Sequence, residues 1–301
     1  MKEAPSIIPT SDVSKEKATN NVSPTWKSFK ESLNDGDRAM MSDLVTSFQR
    51  TVIEGKPSVT LVDTSAGMNE LLSALANLPV KPPSLYVDLE GVDLSRDGTI
   101  SIIQIFILPL RRTFLIDIHI LKGKAFSQPG PSGLTLRSVL ESPLIPKVFF
   151  DVRNDSDALF AHYQIDLAGI QDLQLMELAT RSCSKKLVRG LGKCMEYDAP
   201  MTRREREDWK RTKDTGRRLF APELGGSYEV FNIRPLTDEI LQYCAQDVQF
   251  LPKLWQKYHE KMSLLWEVEV DAESKHRVRL SQSPTYFAKG KDKALGPRHW
   301  S

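Results

Sequence analysis

Past residue 56 the apolar positions change period several times. VTLVD at 59–63 alternates as a strand does. Residues 65–78 place apolar side chains at 68, 71, 72, 75 and 78, the spacing of one helical face, with Ser65 as a candidate N-cap. Pro82-Pro83 ends that run, and three strand-like runs follow at 85–92, 100–108 and 113–118. Gly98, Pro109 and Arg111-Arg112 lie between them, which suits hairpin connections. The pattern then predicts a helix near 134–140, a strand at 147–150, a helix at about 155–163, a short strand near Ile170 and helical segments through Met195. Residues 198–235 read as polar and loop-rich, punctuated by Pro200, Pro222, Gly225-Gly226 and Pro235. A helix is expected over 237–251. Pro252, lacking a backbone donor, should kink it, with helix resuming to about 280 and an extended tail from Ser281. This succession predicts an α/β fold, a mixed sheet covered by helices on both faces.

The first 24 residues are rich in Ser, Pro, Lys and Asn, lack periodicity and are expected to be disordered, with a loosely attached helix around 40–52. The chain thus divides into an extension at 1–56, a core at 57–260, and a C-terminal helix and tail at 261–301. The longest apolar stretch, 100–108, contains Ser101 and Gln104 and is too short to span a bilayer. No basic-then-apolar leader pattern opens the sequence, so a cytosolic or nuclear protein without membrane contact is expected. Cys183, Cys194 and Cys244 are odd in number and lack CxxC spacing, which argues against a disulfide framework and a zinc site and for buried free thiols.

Charge alters this picture locally. The net charge is only +2, but residues 181–218 hold 13 Lys/Arg against 6 Asp/Glu, a local +7 that leaves the remainder at −5. A basic segment on a mildly acidic body suits a groove that tracks phosphates; a solvated helical face of mixed charge is the plainer alternative.

Three segments carry candidate chemistry. In LYVDLEGV, at 85–92, Leu85, Val87 and Leu89 share one strand face and Asp88 and Glu90 the other. On an inner strand two such carboxylates repel each other unless a cation neutralises them, and hard divalent cations prefer oxygen ligands; on an edge strand they form a solvated acidic face. Tyr243 and Asp247, four apart in the expected 237–251 helix, lie one turn apart on one face. Asp151, Asp155 and Asp157 crowd a strand-to-helix junction, where capping and the helix dipole also favour acids.

In this order and spacing the segments resemble the DEDD exonuclease superfamily, specifically its DEDDy branch, which includes ribonuclease D, the Werner-type exonuclease domain and Egalitarian-like proteins. Asp88 and Glu90 match the DxE strand motif. Asp155 with Leu159 matches the second motif. Tyr243 and Asp247 match YxxxD, preceded by Arg234-Pro-Leu-Thr as in ribonuclease D. The DEDDh branch would need His at position 242, which is Gln. The resemblance covers roughly 57–260 and implies a ribonuclease-H-like fold with a five-stranded mixed sheet. It implies a 3′-5′ exonuclease acting on RNA or single-stranded DNA, with two Mg²⁺ or Mn²⁺ ions about 3.5–4 Å apart stabilising the attacking and leaving oxygens. Asp88 would bridge both ions, Glu90 and Asp247 would complete one site, Asp155 would hold the second, and Tyr243 would orient the attacking water. Arg203, Arg204, Lys210 and Arg211 are candidate phosphate contacts. Trp209 among them is either a base-stacking platform or a hydrophobic anchor. Departures remain: an Asp at 151 where many relatives have Asn or a small residue, the extra Asp157, a longer and more basic 201–228 stretch, and no match to the helical accessory domain of ribonuclease D. The competing class is a nucleic-acid-binding adaptor that keeps the fold without turnover.

Overall fold

The computed structural model describes residues 57–300; the disorder expected of 1–24 and the helix expected around 40–52 lie outside the described residues. One mixed sheet contains β1 (Ser58–Val62), β2 (Leu85–Glu90), β3 (Ile102–Ile107), β4 (Arg112–Asp117), β5 (Lys147–Phe149) and β6 (Ile170–Asp172), in the order β1-β4-β3-β2-β5-β6. β3 runs antiparallel to β2 and β4, while β1 pairs parallel with β4, and β5 parallel with both β2 and β6. The sheet therefore has six strands rather than the five that the resemblance implied. β1 pairs along its whole length with the outer side of β4, from Ser58↔Arg112 to Val62↔Ile116, so the edge acquires one more strand.

Alternation along β2 sorts its side chains between two cores. Leu85, Val87 and Leu89 pack with helices α1 (Ser65–Ala74), α2 (Leu136–Glu141) and α3 (Arg153–Tyr163) on one face. Tyr86 packs on the other with α4 (Leu173–Thr180), α5 (Leu191–Tyr197) and α8 (Leu251–Lys261). On that second face α6 (Arg203–Phe220) and α7 (Asp238–Gln249) cover the β3–β4 region. α9 (Leu264–Ser281) joins the two cores, contributing Val278 to the first and Val270 to the second. Its buried Arg277 lies 2.8 Å from Asp172 Oδ2, so the C-terminal helix is an integral part of the core.

Several boundaries differ from the expected ones. Thr64, not Ser65, caps α1, its hydroxyl accepting from the Gly67 N–H, and α1 stops at Ala74 rather than 78. Pro252 does not kink one long helix; α7 ends at Gln249 and Pro252 lies in the first turn of α8, where a missing N–H costs nothing. The tail is not simply extended. It forms two 3₁₀ turns, pairs Leu295 with Leu187 and buries Trp300 against Trp266 at a 5.0 Å centroid distance. The largest difference is α6, eighteen residues of helix inside the segment read as loop. Of the three thiols, Cys194 and Cys244 are buried, whereas Cys183 is exposed. Among the described residues no helix is long and apolar enough to cross a membrane.

Candidate active site

Asp88 and Glu90 point from β2 toward α7, because side chains two apart on a strand share a face. β2 lies inside the sheet between β3 and β5, so both of its faces are covered. From α7, Asp247 completes a cluster in which one carboxylate oxygen of each acid lies within 4.8 Å of the others. Burial and then the charge of Asp247 push the Asp88 carboxyl up to about 7; burial and then Asp88 and Asp247 hold Glu90 well above the ordinary range. These shifts express one fact: three carboxylates in a poorly hydrated cleft resist carrying three charges. Oxygen donors converging at this range form a set that suits a hard divalent cation.

The β5–α3 junction sorts its three acids by partner. Asp151, in the left-handed region at φ 64°, is engaged by Arg153 at 2.6 Å and Arg277 at 3.5 Å. Those cations outweigh burial and lower its pKa. Asp157 accepts from the Arg96 backbone N–H at 2.8 Å and its Nε at 2.6 Å. Asp155 has no such cation among the described residues. It is 5% exposed and its Oδ1 has no hydrogen-bond partner. Burial, then the charge of Asp88, holds its pKa well above the usual carboxylate range. Asp155 is not one of the three converging acids, yet it feels the charge of one of them, Asp88. A buried carboxylate oxygen left without a donor is what a cation-binding group looks like without its cation.

Tyr243 sits one turn before Asp247, its ring on one side of a cluster with Phe220 at a 5.1 Å centroid distance and Phe231 at 6.5 Å. Burial, and next the charges of Asp247, Glu90 and Asp88, hold the phenol well above its usual pKa, so it keeps its proton at neutral pH. At neutral pH it can therefore donate a hydrogen bond.

α6 supplies what sequence reasoning missed. Lys213 reaches into the cluster, donating from Nζ to Asp247 Oδ2 at 2.7 Å and Oδ1 at 2.9 Å and to the Tyr243 hydroxyl at 3.0 Å. Gly216, one turn on, lies against the Tyr243 ring. Gln246 of α7 ties the helices together by donating to the Trp209 carbonyl at 2.9 Å. Trp209 is 8% exposed and packs in the core, a placement that suits a hydrophobic anchor. Arg203, Arg204, Lys210 and Arg211 are exposed along the same helix; Arg203 pairs with Glu207 at 2.8 Å and Arg211 with Asp208 at 2.8 Å.

Residues 59–263 match the 3′-5′ exonuclease family. The chain belongs to that family. No curated protein sequence matches it. Among solved structures, ribonuclease D of Trypanosoma brucei in complex with RNA U12 is similar with a TM-score of 0.64 at 23% identity, over 81% of this chain and 78% of that one. Another structure of the same enzyme gives 0.63 at 25% identity, over 81% and 80%. Ribonuclease D of Escherichia coli gives 0.50 at 18%, covering 75% of this chain and 51% of that one. The DEDDy resemblance read from three short motifs thus extends to the whole exonuclease domain and its fold.

Within the domain the packing at Gly216 yields a prediction. A Cβ there would lie 2.3 Å from Tyr243 Cδ2 and 2.9 Å from Tyr243 Cβ. Gly216→Ala gains roughly 1 kcal/mol in helix propensity. Overpacking costs about 1–3 kcal/mol, and the clash extends to the fixed root of the side chain. The expected result is a small net loss of stability by denaturant titration, with displacement of the Tyr243 ring. A variant as stable as the parent with an unshifted Tyr243 environment would show that α6 yields instead.

Proposed function

We propose that the chain is a metal-dependent 3′-5′ exonuclease that removes nucleotides from the 3′ end of RNA or single-stranded DNA. The observation that carries this reading is the convergence of Asp88, Glu90 and Asp247, with the unpartnered Asp155 oxygen beside Asp88. In this reading Asp88, Glu90 and Asp247 would hold one divalent ion, and Asp155 would help to hold a second. Mg²⁺ or Mn²⁺ would supply Lewis-acid charge for the attacking and leaving oxygens of an in-line displacement. Tyr243, protonated and packed against Phe220, would donate a hydrogen bond that fixes the direction of the attacking water. The cover of α6 and α7 limits bulk water at the cluster, which strengthens every charge interaction there.

The direct test is incubation of the protein with Mg²⁺ or Mn²⁺ and 5′-labelled RNA and DNA oligomers. RNA comes first because the trypanosomal ribonuclease D is seen with RNA. A ladder shortening from the 3′ end is expected. Binding without shortening under either metal would decide for a non-catalytic adaptor.

The exposed face of α6 is the proposed track for the strand. Arg203 lies ten residues before Lys213, roughly 15 Å along the helix axis. The ion pairs of Arg203 and Arg211 within the helix are solvent-exposed and weak, so phosphates can replace Glu207 and Asp208 as their partners. Changing Arg203, Arg204, Lys210 and Arg211 together to Gln should weaken binding of all sequences alike. It should also flatten the salt dependence by up to about three units, since each phosphate contact on a single strand contributes about 0.7. Equal affinity and equal slope for variant and parent would assign this face to a protein partner.

A further inference from the structure

The acidic cluster contains a cation of the chain's own. Lys213 Nζ has three protons, and the structure gives them three acceptors: both Asp247 oxygens and the Tyr243 hydroxyl. The ammonium also stands 4.4 Å from the centroid of the Tyr243 ring. The groups facing it are Asp247, Glu90, Asp88 and Tyr243. Asp247 is 4% exposed, so this is not a surface pair of the kind that contributes nothing measurable.

We propose that Lys213 is the counter-ion of the metal-free cluster, a positioning residue that holds Asp247 and the Tyr243 hydroxyl and that a divalent cation must displace from Asp247. The inference rests on the active-site reading above. The argument is one of occupancy and charge. Both Asp247 oxygens are taken by the ammonium, so an ion that binds Asp247 must take at least one from it. A divalent ion at that distance from an ammonium is repelled, so both do not share Asp247 without penalty. The lysine can leave while the helix stays. Its side chain is 20% exposed on a flexible stem, whereas α6 is held by Trp209, Gly216 and Phe220 packing on α7. Lys213 thus keeps Asp247 and Tyr243 in register when no metal is bound, and lowers the metal affinity of the site in doing so.

The test is a Mn²⁺ titration of the full chain at one neutral pH, with free Mn²⁺ read by electron paramagnetic resonance. It compares the parent, Lys213→Met, Lys213→Arg, and Asp88→Ala in the parent and Lys213→Met backgrounds. Lys213→Met should bind Mn²⁺ about tenfold or more tightly, because a repelling charge and a competitor leave together. Its metal-free melting temperature should fall, and saturating Mn²⁺ should narrow that gap. Lys213→Arg, which keeps the charge, should stay near the parent. Asp88→Ala should remove binding in both backgrounds, tying the signal to this cluster. If Lys213→Met does not fold without metal, Lys213→Gln carries the same comparison. Mn²⁺ affinity in Lys213→Met or Lys213→Gln that is equal to the parent's or weaker overturns the role of Lys213 alone, whereas a parent and variants that bind no Mn²⁺ overturn the active-site reading with it.

Discussion

Asp88→Ala is expected to remove both turnover and the stabilisation that Mn²⁺ gives the parent protein. Asp88 is the acid closest in influence to both parts of the site: it raises Glu90 on one side and Asp155 on the other. An ion present at about a hundred times its dissociation constant stabilises the folded form by about 2.7 kcal/mol. For a domain of this size that is roughly a 5–10 °C rise in melting temperature, which the variant should lose almost entirely. Loss of the several kcal/mol that bound metal contributes to the reaction should lower turnover by at least about a thousandfold. The shift should also depend on pH. Asp88 stands at about 7 when folded, against about 4 unfolded. A raised carboxyl binds its proton more tightly in the folded state, so the contribution of Asp88 to metal-free stability is greatest below about pH 4 and is lost as pH rises toward about 7. Metal needs the ionised form. The Mn²⁺-induced rise in melting temperature should therefore grow between about pH 5 and 7 and then level off. An Asp88→Ala protein that keeps the parent's shift would exclude these acids as the metal site.

The three aspartates of the β5–α3 junction should separate function from stability. Asp155→Asn should abolish turnover, by about a hundredfold or more. It should leave the metal-free protein as stable as the parent or more so, because it removes a buried group that resists ionisation and lacks a donor at Oδ1. Asp157→Asn should do the opposite. It takes the charge from a buried partner of Arg96, whose guanidinium also holds the Ser281 and Ser283 carbonyls at the end of α9. Breaking such a pair costs on the order of 3 kcal/mol, while turnover per folded molecule should stay substantial. Asp151→Asn loses the pairing with Arg153 and Arg277 and should likewise weaken the fold more than the reaction. Thermal melts and single-turnover cleavage on the same three preparations decide the matter. A dead Asp157→Asn beside an active Asp155→Asn would move the assignment to the next acid.

The sequence by itself determined the strands and the motif positions. Period-two alternation at 85–92 put Leu85, Val87 and Leu89 on one side of a strand and Asp88 and Glu90 on the other. Helical spacing set Tyr243 and Asp247 one turn apart. Both are consequences of backbone geometry and survive any tertiary arrangement. The same local rules misread 198–235. Its breakers, Pro200, Pro222, Gly225-Gly226 and Pro235, all flank α6 rather than interrupt it. A capping box of Thr202 with Glu205 and apolar positions at Trp209, Leu219 and Phe220 were the available signals. They were outweighed by a helix that buries only a narrow stripe.

Tertiary structure decided what no spacing encodes. Asp151, Asp155 and Asp157 are alike as letters; besides the local Arg153, the cations that reach them, Arg277 from α9 and Arg96 from the loop after β2, come from more than 60 residues away. Only when those pairs form does Asp155 remain, among the described residues, as the acid of the three without a paired cation. Lys213 was one cation among the eight of α6, marked by nothing in its neighbours. Its role follows from the packing of α6 across α7, which turns one position of a charged helix inward onto Asp247. Chain chemistry fixes which groups exist and which face they take; long-range packing fixes which of them are left uncompensated, and chemistry happens at those.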